Sequence, residues 1–209
     1  MHIYFVRHGS TVLNDRHIHQ SPNTPLSPKG YDEARSVGES LRSVNPDLLI
    51  SSEYTRALET ARVIGECVGL TPETNGLFYE VERPSSLFGK SHFHPKTLMY
   101  VFLSALMRNR PVWHFQDAEN FSDIKSRATR ALTYLESLTD THTSVIVVSH
   151  TIFINMMISY MCQNTMFDLK RLILTILHIK QMKNTDVIHV EYVGKTDMNT
   201  CAWSVVHEV

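Results

Sequence analysis

Three short, unbroken apolar runs constrain the architecture of this 209-residue chain: Ile3-Tyr4-Phe5-Val6, Leu48-Leu49-Ile50 and Val145-Ile146-Val147-Val148. A strand with one wet face alternates apolar and polar side chains, whereas a strand covered on both faces does not. Helical periodicity separates and follows the runs. Ser27-Pro28 reads as an N-cap with proline at the first helical position, and Ala34, Val37, Leu41 and Val44 then recur three and four residues apart until Pro46. A second helix is expected from about Thr55, with Ala57, Ala61, Ile64 and Val68 inward and Gly69 at its C-terminal end. Phe121 to Leu138 carries another apolar stripe (Ile124, Ala128, Leu132, Leu135, Leu138), and a helix from Thr151 to Met161 follows the third run directly. Thr97 to Met107 and Phe167 to Ile179 read as further helices, and Val187 to Val193 and Ala202 to His207 as late strands. The pattern predicts an α/β fold: a three-layer α/β/α sandwich with a mostly parallel central sheet. Residues 1–209 read as a single domain, with 80–120 as a cap- or lid-like insertion.

Composition narrows the partners. The chain has 20 basic and 21 acidic residues, a net charge of −1, so it lacks the basic excess usual for nucleic-acid or membrane-surface binding. No nucleic-acid or membrane partner is expected. The most apolar stretch, Val145 to Met161, is interrupted by Ser149, His150, Thr151, Asn155 and Ser159 and is too polar to span a bilayer. No signal-like segment opens the chain. Cys67, Cys162 and Cys201 form neither a CxxC pair nor a zinc pattern, so reduced thiols and a cytoplasmic location are expected.

Ligands of open α/β sheets bind beyond the carboxyl ends of the strands. Arg7-His8-Gly9 follows the first run, Ser51-Ser52 and then Arg56 follow the second, and Ser149-His150 follow the third. Two arginines and two histidines therefore converge on one sheet edge, beside helix N-termini. That set suits a dianionic oxyanion, above all a phosphoryl group, because guanidinium offers a planar, permanently charged fork. The histidines add chemistry. An imidazole beside two guanidiniums stays neutral, and a neutral ring nitrogen facing phosphorus is a nucleophile. Gly9 leaves room for the phosphate, and Glu80 and Glu82 are the candidates to protonate a leaving oxygen. His17/His19 and His92/His94 have spacings that suit a metal, but without a third ligand they read as loop or strand residues. Glu59 reads as a carboxylate that orients a neighbouring arginine or sits on a helix surface, and Met156, Met157, Met161 and Met166 read as core. Trp113-His114-Phe115 fits a substrate lid or a packed cap equally. Lys90, Arg108 and Arg110 read as solvated charges.

Arg7-His8-Gly9-Ser10-Thr11 with Asn14 resembles the RHG-x-T-x-x-N signature of the histidine phosphatase superfamily, the phosphoglycerate mutase-like proteins. Thr24-Pro25-Leu26-Ser27-Pro28-Lys29-Gly30, the segment Ser51 to Ala61 around Arg56, Glu119-Asn120-Phe121 through Arg127, and Val147-Val148-Ser149-His150 resemble other family elements in the family's order. The resemblance implies a phosphoric monoester hydrolase of the histidine acid phosphatase type acting on a small phosphorylated substrate, with no metal or organic cofactor. It implies that His8 becomes phosphorylated, that Arg7, Arg56 and His150 hold the phosphoryl oxygens, that Glu80 rather than Glu82 is the acid and then the base, and that Asn14 and Gln20 touch substrate or phosphate. Mutase-type phosphoryl transfer and a catalytically silent phosphate-binding module are the alternatives. Ser149, where many relatives have glycine, is expected to be tolerated, at most narrowing the approach to the phosphate.

Overall fold

The computed structural model describes residues 1–161, 182–194 and 201–208, with residues 207 and 208 described by backbone alone. In chain order the elements are β1 (His2–Arg7), α1 (Val12–Asp15), α2 (Pro28–Leu41), β2 (Leu48–Ser51), α3 (Thr55–Val68), β3 (Glu73–Thr74), α4 (Pro95–Leu106), α5 (Phe121–Ser137), β4 (Ser144–Ser149), α6 (Thr151–Met161), β5 (Val187–Tyr192) and β6 (Trp203–Glu208). The sheet order is β3-β2-β4-β1-β5-β6. The pairings β1–β4, β2–β4 and β2–β3 are parallel, and β5 and β6 add antiparallel pairings at one side. The sheet is therefore mixed and mostly parallel, flanked by helices, as the apolar runs predict. The expected helix at 167–179 lies outside the described residues.

Both faces of the central strands are covered, which explains their lack of alternation. Ile3, Phe5, Val145 and Val147 pack toward Ala128, Leu135, Phe153 and Met157 of α5 and α6. Val6, Ile146 and Val148 point the other way, onto Leu41 of α2 and Ala57, Ala61 and Ile64 of α3. Each such buried aliphatic side chain contributes about 1.5–3 kcal/mol of transfer free energy. Met156, Met157 and Met161 are buried among these layers, as expected. The caps form where the residues indicate. Ser27 accepts the Gly30 N–H with Pro28 opening α2, and Gly69 ends α3 at φ 78°. The helix α2 stops at Leu41, earlier than Pro46 suggests, because the chain tightens into a 3₁₀ turn and reverses at Asn45, φ 44°.

Two further features shape the sheet edge. A Cβ on Gly30 would lie 2.2 Å from the Ser10 carbonyl oxygen, and one on Gly9 would lie 2.5 Å from the Gly30 oxygen. The two glycines let the loop after β1 lie flat against the first turn of α2, so the room at Gly9 serves backbone contact, not the phosphate. Cys67 is a free thiol. Cys201 is disulfide-bonded, which corrects the expectation of reduced thiols throughout. Among the described residues no helix is long and apolar enough to cross a membrane.

Candidate active site

Parallel register brings the loop residues together. Arg7 pairs with Ser149 and Val6 with Val148, so His8 and His150 leave their strands side by side, ring centroids 5.2 Å apart. β2 pairs Ser51 with Val148, which places Ser52 and the start of α3 beside them. From the first turn of α3, Arg56 reaches back across both rings. Its Nε donates to His8 Nε2 at 3.2 Å, its Nη2 to His150 Nδ1 at 3.2 Å, and its Nη1 to the Ser21 carbonyl at 3.0 Å. Arg56 is buried, yet its pKa is lowered only to about 10, by burial against the pull of Glu80, so it stays cationic near neutrality.

These contacts settle each ring's protonation. His8 Nδ1 donates to the Gly9 carbonyl at 2.8 Å, which leaves a lone pair on Nε2 for the guanidinium. His150 accepts at Nδ1 and donates from Nε2 to Ser52 Oγ at 2.8 Å. Burial first, then Arg56, pushes both imidazoles well below their ordinary pKa, with Arg7 adding to each. His150 backs Arg56 without lining the cavity itself.

Neutral burial of His8 and His150 has a stability consequence. In the unfolded chain each protonates below pH about 6.5, whereas in the fold each resists. The unfolded state then binds more protons, and stability falls as pH falls, by up to about 1.4 kcal/mol per pH unit for each histidine. Thermal melts should therefore show Tm declining steadily from pH 7 to pH 5. A flat profile over that range would contradict the neutral-imidazole assignment.

Arg7 is the second cation on the cavity wall. Arg7 donates from Nη1 to the Met182 carbonyl, and its buried Nε has no hydrogen-bond partner among the described residues. An unpaired buried guanidinium nitrogen at a cavity wall is costly unless a ligand satisfies it. Buried hydrogen bonds hold the loop carrying His8. Gly9 N–H donates to Thr60 Oγ1 at 3.0 Å, Thr60 Oγ1 to the Arg56 carbonyl at 2.7 Å, and Asn184 Nδ2 to the His8 carbonyl at 3.1 Å. Ser10 donates through both N and Oγ to Glu33 at 2.8 Å. Thr11 caps α1 and bridges Asn14 and Gln20 through Oγ1, at 3.1 and 3.0 Å.

Glu80 and Glu82 part company. One Glu80 oxygen accepts the Val81 N–H at 2.9 Å and the Phe153 N–H at 3.1 Å, so the carboxylate is clasped at the start of α6. It faces the cations: among the charges acting on Arg7 and Arg56, Glu80 is the largest that raises them. Glu82 is exposed, and its backbone N–H is tied to Glu119 Oε2 at 2.9 Å. Burial, then Glu119, raises the Glu82 carboxyl. Position separates the two, since an acid must first reach its proton's destination.

One buried ion pair steadies this loop. Arg127, 2% exposed, donates to both oxygens of Glu119, at 2.8 and 2.6 Å, and to the carbonyls of Leu77 and Tyr79, at 3.2 and 2.7 Å. Its guanidinium lies between the rings of Tyr79 (3.8 Å) and Phe153 (4.0 Å). Both flanks of Glu80 are thus pinned by the same pair. Ser149 joins in: its Oγ donates to the Phe78 carbonyl at 2.6 Å and does not line the cavity, so it fastens the loop instead of narrowing the phosphate's approach. Glu59 accepts the Leu26 N–H at 2.8 Å and so orients a loop, not an arginine.

A cavity of about 1160 Å³ opens over the site, with Arg7, His8, Asn14, Gln20, Arg56, Glu80 and Glu82 all on its wall. Trp113 and Phe115 are not on that wall; their rings pack against each other and, through Phe115, against Tyr100 of α4. The paired histidine segments meet in an isolated antiparallel bridge, Ile18 to Ser91. His94 caps α4 by accepting the Lys96 N–H. Among the described residues no cluster of three or more His, Cys, Asp or Glu is arranged to hold a metal.

The model of the histidine phosphatase superfamily, branch 1, matches residues 3–197, and the chain belongs to that superfamily. Its fold is that of a mycobacterial glucosyl-3-phosphoglycerate phosphatase solved with vanadate, at TM-score 0.76 and 20% identity over 99% of this chain and 98% of that one. The alpha-ribazole phosphatase of Shigella flexneri aligns at TM-score 0.74 and 18% identity, over 100% and 96%. In sequence, the protein named "Probable phosphoglycerate mutase GpmB" of Salmonella paratyphi C is 39% identical over 70 residues. That match spans about a third of either chain, 33% of each.

Proposed function

We propose that this protein is a phosphomonoesterase that hydrolyses small phosphorylated substrates through a phosphohistidine on His8. The observation that carries this reading is the lone pair of His8 Nε2, held toward the Arg56 guanidinium by the bond from Nδ1 to the Gly9 carbonyl. A bound phosphoryl group draws the Arg56 N–H onto its own oxygens and so frees that lone pair to face phosphorus. Arg7 and Arg56, both on the cavity wall, bind its oxygens, with His150 keeping Arg56 in position from behind. Nε2 attacks phosphorus, the P–O bond to the alcohol breaks, and Glu80 hands its proton to the departing oxygen. The Glu80 carboxylate then takes a proton from water as that water attacks the phosphohistidine. Inorganic phosphate leaves, and both groups return to their starting states. Asn14 and Gln20 line the cavity and contact the substrate.

Mutase-type transfer is the second reading, favoured by the 70-residue match to a protein with a mutase name. The cavity favours hydrolysis, because about 1160 Å³ leaves space for water beside a small ester. A phosphate-release screen over sugar phosphates, nucleotides and phosphoglycerates should find turnover between pH 5 and 8. A rapid alkaline quench with ³²P-labelled ester should trap an acid-labile label on the protein. Absence of both turnover and label would make the protein a phosphate-binding module, and label passing to a second alcohol instead of water would make it a mutase.

A further inference from the structure

Three residues beyond Glu80, on the same loop, Arg83 enters the cavity wall. Its charge is felt at Arg56, His19, His92 and Tyr100, which places it between the phosphoryl end of the cavity and α4. Among the described residues no carboxylate pairs with it. Its hydrogen bond is to a histidine: Nη1 donates to His19 Nδ1 at 3.1 Å. That bond needs an unprotonated Nδ1, and the rest of the contact chain supplies it. His19 Nε2 donates to Thr97 Oγ1 at 3.0 Å, and Thr97 Oγ1 donates to the Ser91 carbonyl at 3.2 Å. Every donor in the series has one acceptor, so the imidazole's orientation is set from α4 outward. Burial, then Arg83, lowers the His19 pKa to about 3, so the ring does not compete with the guanidinium for charge at neutral pH. The 17–19 and 89–92 segments bridge at Ile18 and Ser91, with His19 N–H donating to the Lys90 carbonyl at 2.9 Å, and fix the histidine's backbone as well.

A guanidinium aimed by one nitrogen at a neutral acceptor keeps its remaining donors and its full charge for a ligand. The cations singled out from sequence, Lys90, Arg108 and Arg110, do not line the cavity. Lys29 and Lys183 do; Lys29 is paired with Glu33 at 3.4 Å, and Lys183 follows Met182, whose carbonyl holds Arg7, and is not on the Glu80 loop. Arg83 also lies on the loop that carries Glu80, the side from which the ester oxygen departs. We infer that Arg83, aimed by His19 and Thr97, is a second anion subsite that selects phosphomonoesters whose alcohol carries another oxyanion, a carboxylate or a second phosphoryl group. The inference rests on the phosphomonoesterase reading and adds the substrate class to it.

Four probes test it: p-nitrophenyl phosphate and glycerol 3-phosphate, which lack a second anion, and 3-phosphoglycerate and glycerol 1,3-bisphosphate, which have one. The wild type should prefer one or both dianionic-headed esters over glycerol 3-phosphate by about tenfold or more in kcat/KM, the scale of one charge-assisted hydrogen bond. Which of the two is preferred identifies carboxylate or phosphoryl as the recognised group. Arg83→Gln should erase that preference through KM while changing glycerol 3-phosphate and p-nitrophenyl phosphate less than about twofold, and Arg83→Lys should restore part of it. No preference in the wild type, or an equal loss on all four esters in Arg83→Gln, would overturn the subsite and leave Arg83 a latch for His19. Calorimetric titration of 3-phosphoglycerate and glycerol 1,3-bisphosphate into His8→Ala and His8→Ala/Arg83→Gln separates this from the catalytic reading. About tenfold weaker binding of either ester in the double variant supports the subsite even if no ester is turned over, and equal binding of both rejects it.

Discussion

His8→Ala should reduce turnover of every phosphomonoester by about 10⁴-fold or more, the scale seen when a catalytic nucleophile is deleted. The loss should fall on kcat, because Arg7 and Arg56 remain to bind the phosphoryl group. The fold should persist. The His8 side chain makes one bond to its neighbour's carbonyl and accepts one from Arg56, while the loop is held independently through Gly9 to Thr60 and His8 O to Asn184. The variant also removes one histidine that the fold keeps neutral, so its Tm should fall less steeply between pH 7 and pH 5 than the wild type's. Steady-state assays, circular dichroism melts and a phosphate titration on one preparation are sufficient. A folded His8→Ala protein that keeps more than about 1% of wild-type turnover would remove His8 from the nucleophile's role.

Glu80→Gln should separate the two half-reactions. For alkyl phosphates the leaving oxygen needs a proton, and kcat should drop by about 10²–10⁴-fold. For p-nitrophenyl phosphate the first step needs little help, so a stoichiometric burst of nitrophenol should precede slow turnover limited by water attack. Glutamine keeps an oxygen to accept from the Phe153 and Val81 N–H groups, so the loop should hold its place. Glu82→Gln, at an exposed position anchored by its backbone, should stay within about threefold of wild type on all esters. If instead Glu82→Gln shows the leaving-group dependence and Glu80→Gln does not, the acid is Glu82.

Much of this was legible in the residues because it depends on neighbours in sequence. Continuous apolar runs marked the doubly covered strands, and Ser27-Pro28 and Gly69 marked helix ends by chemistry acting within four residues. The convergence of Arg7, His8, Arg56 and His150 followed from a general property of parallel sheets, that strand ends share an edge. The supporting contacts were not legible. Ser149 to Phe78, Asn184 to His8 and Thr60 to Gly9 join positions 71, 176 and 51 residues apart, and no periodicity encodes such meetings. The Glu119–Arg127 pair lay in a segment whose family resemblance was visible, but its hold on the backbone around Glu80 was not.

The order of residues alone established the layered α/β plan and the supply of two guanidiniums and two imidazoles to one sheet edge, since burial patterns and strand-end placement are short-range properties. Three things required the folded chain: which ring nitrogen of His8 keeps its lone pair, which of two nearby carboxylates faces the cations, and that Arg83 stands unpaired by carboxylate among the described residues on the cavity wall. Each depends on the direction of a side chain relative to a distant partner, and direction emerges only when the layers pack.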